Sequence, residues 1–289
     1  MKLTRERTIG DCLRAAVATL PGDSPRLDAE LLLGHCLHRS RAWLFAHSTD
    51  PLPHAITGQF DALVERRRHG TPIAHLIGER EFWSLPLIVS PDTLIPRPET
   101  ERLVELALAH LPPDQPARVL DLGTGTGAVA IAIAHERPMT RIIATDISPA
   151  ALAVARRNIG RHVPGRIETR CGDWFQPVAG IRFDLIVSNP PYIPLGDPHL
   201  AHGDLPHEPA TALSSGADGL HAIRHIVAGA LDQLCPGGWL LLEHGHDQGA
   251  RLRVLLAQAG LTDITTAQDL EQRDRVSLGR APAPARPTD

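Results

Sequence analysis

Val119-Leu120-Asp121-Leu122-Gly123-Thr124-Gly125-Thr126-Gly127 decides the fold of this 289-residue chain. An apolar strand runs here into a glycine-rich turn that opens a helix, the arrangement by which α/β sheets hold nucleotide-like ligands at the carboxyl ends of their strands. Glycines at these positions let a ligand come close to the backbone. Nicotinamide, flavin and S-adenosylmethionine enzymes share such a turn. The spacing is GxGxG and not the dinucleotide GxGxxG, so no third glycine falls where a pyrophosphate-binding turn needs one. Asp121 points the same way, because an acid beside the turn suits a ligand carrying an amino-acid cation better than a pyrophosphate.

Outward from that turn, strands and helices alternate. Strands are expected at 118–122, 141–146, 166–171, 183–188 and 238–243, with helices near 127–136, 149–160, 219–234 and 248–259. This pattern predicts a doubly wound α/β domain, a mostly parallel sheet with helices on both faces. Two further β-like pieces, 262–268 and 274–279, read as a terminal hairpin, which makes one edge strand antiparallel. Residues 281–289, rich in proline and alanine, read as a disordered tail. Upstream, residues 8–69 carry helical periodicity: Ile9, Leu13, Ala16, Val17 and Leu20, then Leu27, Leu31, Leu32, Cys36 and Leu37, then Phe60, Leu63 and Val64. Asp23 or Ser24 is the candidate cap of the second helix. Short, proline-punctuated apolar pieces between Ile73 and Ile95 suggest a β-hairpin linker, after which Pro96-Arg97-Pro98-Glu99-Thr100-Glu101 opens a helix. The expected domains are therefore 1–72 (helical), 73–96 (hairpin linker) and 97–280 (α/β).

Bulk properties exclude several classes. No run approaches the length of a membrane span, and Met1–Arg7 lacks the apolar core of a signal peptide, so a soluble cytoplasmic protein is expected. Cys12, Cys36, Cys171 and Cys235 are scattered without metal-binding or disulfide spacing. A net charge of -4 argues against a general nucleic-acid binder. The charge is uneven: residues 1–80 hold 11 basic and 9 acidic side chains, a net of +2, and the remainder 18 and 24, a net of -6. Arg66-Arg67-Arg68 reads as a solvated helix end. With 16 histidines in the chain, the clusters His199, His202, His207 and His244, His246 are no argument for a metal, and none is expected.

Three acidic or amide positions follow the strands. Asp146 ends the second strand, where an acid can accept both ribose hydroxyls or cap the next helix; Ser148 fits the cap better. In Cys171-Gly172-Asp173-Trp174-Phe175, an acid followed by a large aromatic can bond an adenine amino group and cover its ring, or the tryptophan can be a core residue. After the fourth strand comes Asn189-Pro190-Pro191-Tyr192. A planar NH2 group whose lone pair is delocalised is a poor nucleophile. The Asn189 side-chain oxygen and the Pro190 carbonyl can accept both of its N–H bonds and hold its nitrogen in line with an electrophilic carbon. Tyr192 offers an aromatic face, and two prolines stiffen the loop. An ordinary strand-ending Asn-Pro turn is the plain alternative.

In order and spacing, Gly123 to Gly127, Asp146, Gly172 to Phe175 and Asn189 to Tyr192 resemble class I S-adenosylmethionine methyltransferases that alkylate planar amino nitrogens. More closely, the chain is similar to the bacterial protein-(glutamine-N5) methyltransferases of peptide chain release factors, the HemK or PrmC family. The closer likeness is carried by Ile95 to Glu101, by Ile193 after the tetrapeptide, by Asp197 to Leu200, Gly203-Asp204 and Glu208 to Leu213, and by Gly216 to Leu220. His207 stands where the family often has an aromatic residue. The resemblance implies a Rossmann-like seven-stranded methyltransferase sheet with its last strand antiparallel, and an N-terminal helical domain that recognises substrate. It implies S-adenosyl-L-methionine as cofactor, S-adenosyl-L-homocysteine as product, and no metal. Cofactor contacts would come from Asp121, Gly123, Thr124, Gly125, Thr126, Gly127, Asp146, Asp173, Trp174 and Asn189. Asn189, Pro190, Pro191 and Tyr192 would receive the substrate, with Asn189, Pro190 and Tyr192 catalytic. The implied substrate is the glutamine of the Gly-Gly-Gln loop of class 1 release factors, methylated by a monomer that touches neither nucleic acid nor membrane. A glutamine in a large-subunit ribosomal protein, or a nucleic-acid base amino group, poses the same electronic problem. Arg97, Glu99 and Glu208 fit either a pocket wall or a helix start.

Overall fold

The computed structural model describes residues 7–283. The chain forms two compact units, one of residues up to Glu79 together with Ala201–His207, the other of Arg80–Leu200 and the residues from Glu208 onward. Among the described residues no helix is long and apolar enough to cross a membrane.

The helical unit contains α1 (Ile9–Val17), α2 (Pro25–Leu37), α3 (Arg41–Ala46), α4 (His54–Arg68) and α5 (Ile73–Ile77). Thr8 starts α1 with a reciprocal cap, its hydroxyl accepting from the Asp11 amide at 3.1 Å while its own amide donates to the Asp11 carboxylate at 3.2 Å. Ser24 occupies the cap position of α2 but makes no side-chain cap bond; Pro25 supplies the helical start instead. Leu32, Leu33, Leu44 and Phe60 are fully buried, whereas Leu27, expected inside, is exposed. Arg67 is not the solvated residue that its run of arginines suggests. It is folded inward between Asp28 (2.8 Å) and Asp204 (3.0 Å), the latter from the 201–207 segment. Ile73–Ile77, expected at the start of a hairpin, is a helical turn closed by left-handed Gly78.

The hairpin proper is β1 (Glu79–Phe82) with β2 (Leu85–Ile88), turned by Trp83 and Ser84, both at positive φ. Then follow α6 (Glu101–Ala109), β3 (Arg118–Leu122), α7 (Ala128–Glu136), β4 (Arg141–Asp146), α8 (Pro149–His162), β5 (Ile167–Cys171) and β6 (Phe183–Ser188). The unit closes with α9 (Ala210–Leu213), α10 (His221–Gln233), β7 (Leu234–Glu243), α11 (Gly249–Gln258), β8 (Thr262–Gln268) and β9 (Asp274–Arg280). The seven-stranded sheet has the order β5-β4-β3-β6-β7-β9-β8, parallel through β7, with β9 antiparallel to both neighbours. The antiparallel strand is thus one place in from the edge, and β8 is the edge. Apolar residues on alternate positions of β3 and β6 feed two cores, Val119, Leu185 and Val187 on one face and Leu120, Leu122 and Ile186 on the other. Ala281, expected in a disordered tail, is buried and exchanges backbone hydrogen bonds with Gly237 and Gly238; residues 284–289 of that tail lie outside the described residues.

Asn158 of α8 joins three parts of this unit. Fully buried, it accepts from the Ile88 amide (2.7 Å) and donates to the carbonyls of Ile88 and Thr126, both at 2.9 Å. It thereby ties β2 and the glycine turn to one helix. Asn158→Ala would leave three backbone groups unpaired in the interior, each costing about 1–3 kcal/mol. The variant is expected to lose about 3 kcal/mol or more of stability in urea unfolding, and a change under about 1 kcal/mol would show that water replaces the amide.

Candidate active site

Parallel register brings the chemistry to one level. Leu122 pairs with Thr145 on one side and Ser188 on the other, and Asp146 with Cys171. The residues just past these strand ends, Gly123, Asn189 and Gly172, therefore converge with Asp146 at the carboxyl edge of the sheet, where a cavity of about 340 Å³ opens. Its wall includes Asp121, Gly123, Asp146, Asp173, Trp174 and Asn189. That volume lies at the lower end of the range of small-molecule sites.

The turn is held open by its glycines and anchored by its threonines. Gly123, Gly125 and Gly127 all have positive φ. At Gly127 a side chain would also crowd Ile131 at 3.2 Å and Ala155 at 3.5 Å. Gly125 has open space where a side chain would stand, and its amide donates to Asp146 Oδ2 at 2.9 Å. The Thr124 amide donates to the Thr145 carbonyl and its hydroxyl to Asp121 Oδ2 at 2.6 Å, while buried Thr126 gives its carbonyl to Asn158. Asp146 also accepts from the Ser148 amide at 2.9 Å, and Ser148 caps α8, so the acid organises the turn as well as facing the cavity.

Asp121 is buried, and desolvation pushes its carboxyl up to about 6 against the pull of the Thr124 hydroxyl and the Ala130 amide; the charge of Asp146 adds to the rise. Trp174 packs against the core below the sheet edge and lines the cavity, held at φ 40. Asp173 lines the cavity beside it.

Within the tetrapeptide the roles separate. Asn189 and Pro191 line the cavity; Pro190 is buried and Tyr192 turns away, its ring packed on the core and its hydroxyl 3.4 Å from Glu243 Oε1. The expected aromatic face of Tyr192 is thus not among the cavity-lining groups. Asn189 Nδ2 donates to Thr100 Oγ1 at 3.1 Å. The Tyr192 carbonyl accepts from Gln248 Nε2 at 2.9 Å, and a side chain at Gly219 would collide with it.

Arg97 also lines the cavity and pairs with Glu208, a buried carboxylate that accepts from the Ile95 amide at 2.8 Å and so clamps the 95–100 stretch to the 208–213 stretch. Phe82, Thr100, Thr145 and Thr211 were not picked from the sequence as site residues, yet all line the cavity. Glu243 was missed too, although a lone carboxylate ending the apolar run Trp239–Leu242 was a usable signal.

Asp121 makes a test of this electrostatics. Its raised pKa means that burial of the ionised group opposes folding: the deficit is absent below the unfolded value near 3.8 and complete above about 6. Asp121→Asn keeps an acceptor for Thr124 and removes the charge. Relative to the parent it is expected to gain up to about 3 kcal/mol above pH 7, the gain vanishing below pH 4, as read from urea midpoints across pH. A gain independent of pH would rule out ionisation as its source.

The chain matches two family models, the PrmC N-terminal domain over residues 11–78 and the methyltransferase small domain over residues 100–201. It is 57% identical to the release factor glutamine methyltransferase of Xylella fastidiosa, over 89% of this chain and 94% of that protein. It is 51% identical to the protein of the same name from Escherichia coli, over 93% of this chain and 97% of that protein. Among solved structures, a methyltransferase from Pyrococcus furiosus superposes with a TM-score of 0.52 at 18% identity, covering 77% of this chain and 98% of the other, a likeness of fold.

Proposed function

The chain belongs to the family of release factor glutamine methyltransferases, and from that premise we propose that it methylates the N5 amide nitrogen of the glutamine in the Gly-Gly-Gln loop of class 1 release factors. The observation that carries this reading is Asn189, set in the wall of the cavity at the level of Gly123 and Asp146.

The residues present fit S-adenosylmethionine as methyl donor. Gly123 and Gly125 offer bare backbone to the cavity, Asp121, Asp146 and Asp173 offer negative or accepting oxygens to an amino-acid cation and ribose hydroxyls, and Trp174 offers a flat apolar surface. When bound, that group supplies an electrophilic sulfonium methyl with a neutral leaving group. The protein's task is then alignment. Asn189 accepts an N–H of the substrate amide, fixes its plane and favours the positive charge that grows on nitrogen. One such bond contributes about 0.5–1.5 kcal/mol in ground-state terms, so its effect on rate lies in preorganisation. An alkylated amide nitrogen is strongly acidic and sheds its proton without a dedicated base. We assign substrate recognition to the helical unit, supported by the net +2 of residues 1–80 against the net -6 of the rest. We take the enzyme to act as a cytoplasmic monomer.

The test is methyl transfer from labelled S-adenosylmethionine to release factor, to a release factor with alanine in place of the loop glutamine, to a glutamine-bearing ribosomal protein, and to nucleic acid. Label is expected in the intact release factor alone; label confined to the ribosomal protein or to nucleic acid would overturn the proposal. Asn189→Ala is expected to abolish turnover while leaving cofactor affinity within about tenfold, since the lost contact belongs to the substrate amide. A collapse of cofactor binding would make Asn189 a cofactor residue.

A further inference from the structure

Behind Asn189 lies a buried polar relay. The register that pairs Ser188 with Leu242 sets Asn189 and Glu243 side by side at the ends of β6 and β7. Glu243 is 1% exposed, and its Oε2 has no hydrogen-bond partner among the described residues. The Tyr192 hydroxyl lies 3.4 Å from its Oε1, and the Thr100 hydroxyl beside it favours its ionised form. Thr100 Oγ1 in turn receives Asn189 Nδ2. None of these contacts touches the cavity except through Asn189, Thr100 and the backbone that carries them.

A side-chain amide has a donor end and an acceptor end, and only the acceptor end can bind the N–H of a substrate amide. Exchange of the two ends costs Asn189 little in shape, so something must choose between them. We propose that Glu243 and Thr100 are positioning residues that fix the polarity of Asn189, keeping its Nδ2 bound inward and its Oδ1 turned to the substrate nitrogen. An ionised carboxylate only accepts, so it draws the Thr100 hydrogen toward itself. The Thr100 oxygen is then left as acceptor, and Asn189 can satisfy it only with Nδ2. A protonated Glu243 can donate to Thr100 instead; the Thr100 hydrogen is then free to bond Asn189 Oδ1, and the amide can present its NH2 to the substrate, donor against donor.

Charged and titratable groups facing Glu243 are Arg275 on β9, which favours its ionised form, and Glu99 and Tyr192, of which Glu99 opposes ionisation while the Tyr192 hydroxyl supports it by hydrogen bonding. Burial dominates, and the carboxyl is pushed up to about 7. The relay is therefore set above neutrality and released below it.

The inference rests on Asn189 as acceptor for the substrate amide, and the experiment separates the two. Single-turnover methyl transfer to release factor is measured with the full-length parent and with Asn189→Ala, Glu243→Gln, Thr100→Val and Thr100→Ser, together with cofactor affinity and thermal midpoint. Glu243→Gln and Thr100→Val are expected to lose about 10- to 100-fold in rate with cofactor affinity changed less than about threefold, and Thr100→Ser to restore most of the rate. The parent's rate should rise with pH to a plateau through a midpoint near 7, a limb that Glu243→Gln lacks. Full activity of Glu243→Gln and Thr100→Val beside an inactive Asn189→Ala overturns the relay alone. So does a loss in Glu243→Gln matched by falling cofactor affinity and thermal midpoint, or a Thr100→Ser as slow as Thr100→Val. An active Asn189→Ala instead sinks the functional reading beneath it.

Discussion

The register of β3 between β4 and β6 is the constraint on which the site depends. Side chains alternate along a strand, so a slip of one residue would turn Asp121 from the ligand edge into the opposite core and carry an apolar neighbour into its place. The cores on both faces resist that slip: Val119 and Leu120 are each fully buried, on opposite sides. Once β3 is fixed, Gly123 must begin the turn at the level where Asp146 and Asn189 arrive on the adjoining strands. Gly123, Asp146 and Asn189 thus take their common level from the sheet.

That dependence explains which parts were legible in the sequence. The turn at 123–127, Asp146, Asp173-Trp174 and the tetrapeptide lie directly at strand ends, and their spacing along the chain is read from alternation and glycine. Strand limits agree to within a residue or two except for β7, which begins at Leu234. What sequence could not show was pairing across distance. Thr100 reaches Asn189, 89 residues away, and Glu208 reaches Ile95, 113 residues away. Arg67 looked solvated because its acids, Asp28 and Asp204, are remote in the chain. The place of β9 inside the sheet edge follows from how a hairpin folds back, which periodicity does not encode. Tyr192 illustrates the opposite error: its place in a tetrapeptide suggested a shared role, but its ring is taken by the core and its hydroxyl by Glu243.

Two of the buried carboxylates, Asp121 and Glu243, show how one site handles charge in two ways. Asp121 faces the cavity, and burial makes its ionised form costly. Glu243 faces away, toward hydroxyls and Arg275, and acts on the cavity only through what it makes its neighbours do. Both raise the local cost of folding, which is the usual pattern where function outweighs stability.

The segment Ala201–His207 belongs to the helical unit although the residues on either side of it belong to the other. The chain thus passes between the units three times, and the Arg67–Asp204 bond spans 137 positions. On a ribosome, where the chain appears from its amino end at about 5–20 residues per second, α1 to α5 must wait for the hairpin and the first four strands of the seven-stranded sheet to emerge before their last partner arrives. Maturation of the first-made unit is therefore timed by the second, and the nascent helices spend that interval with Arg67 short of one of its acids.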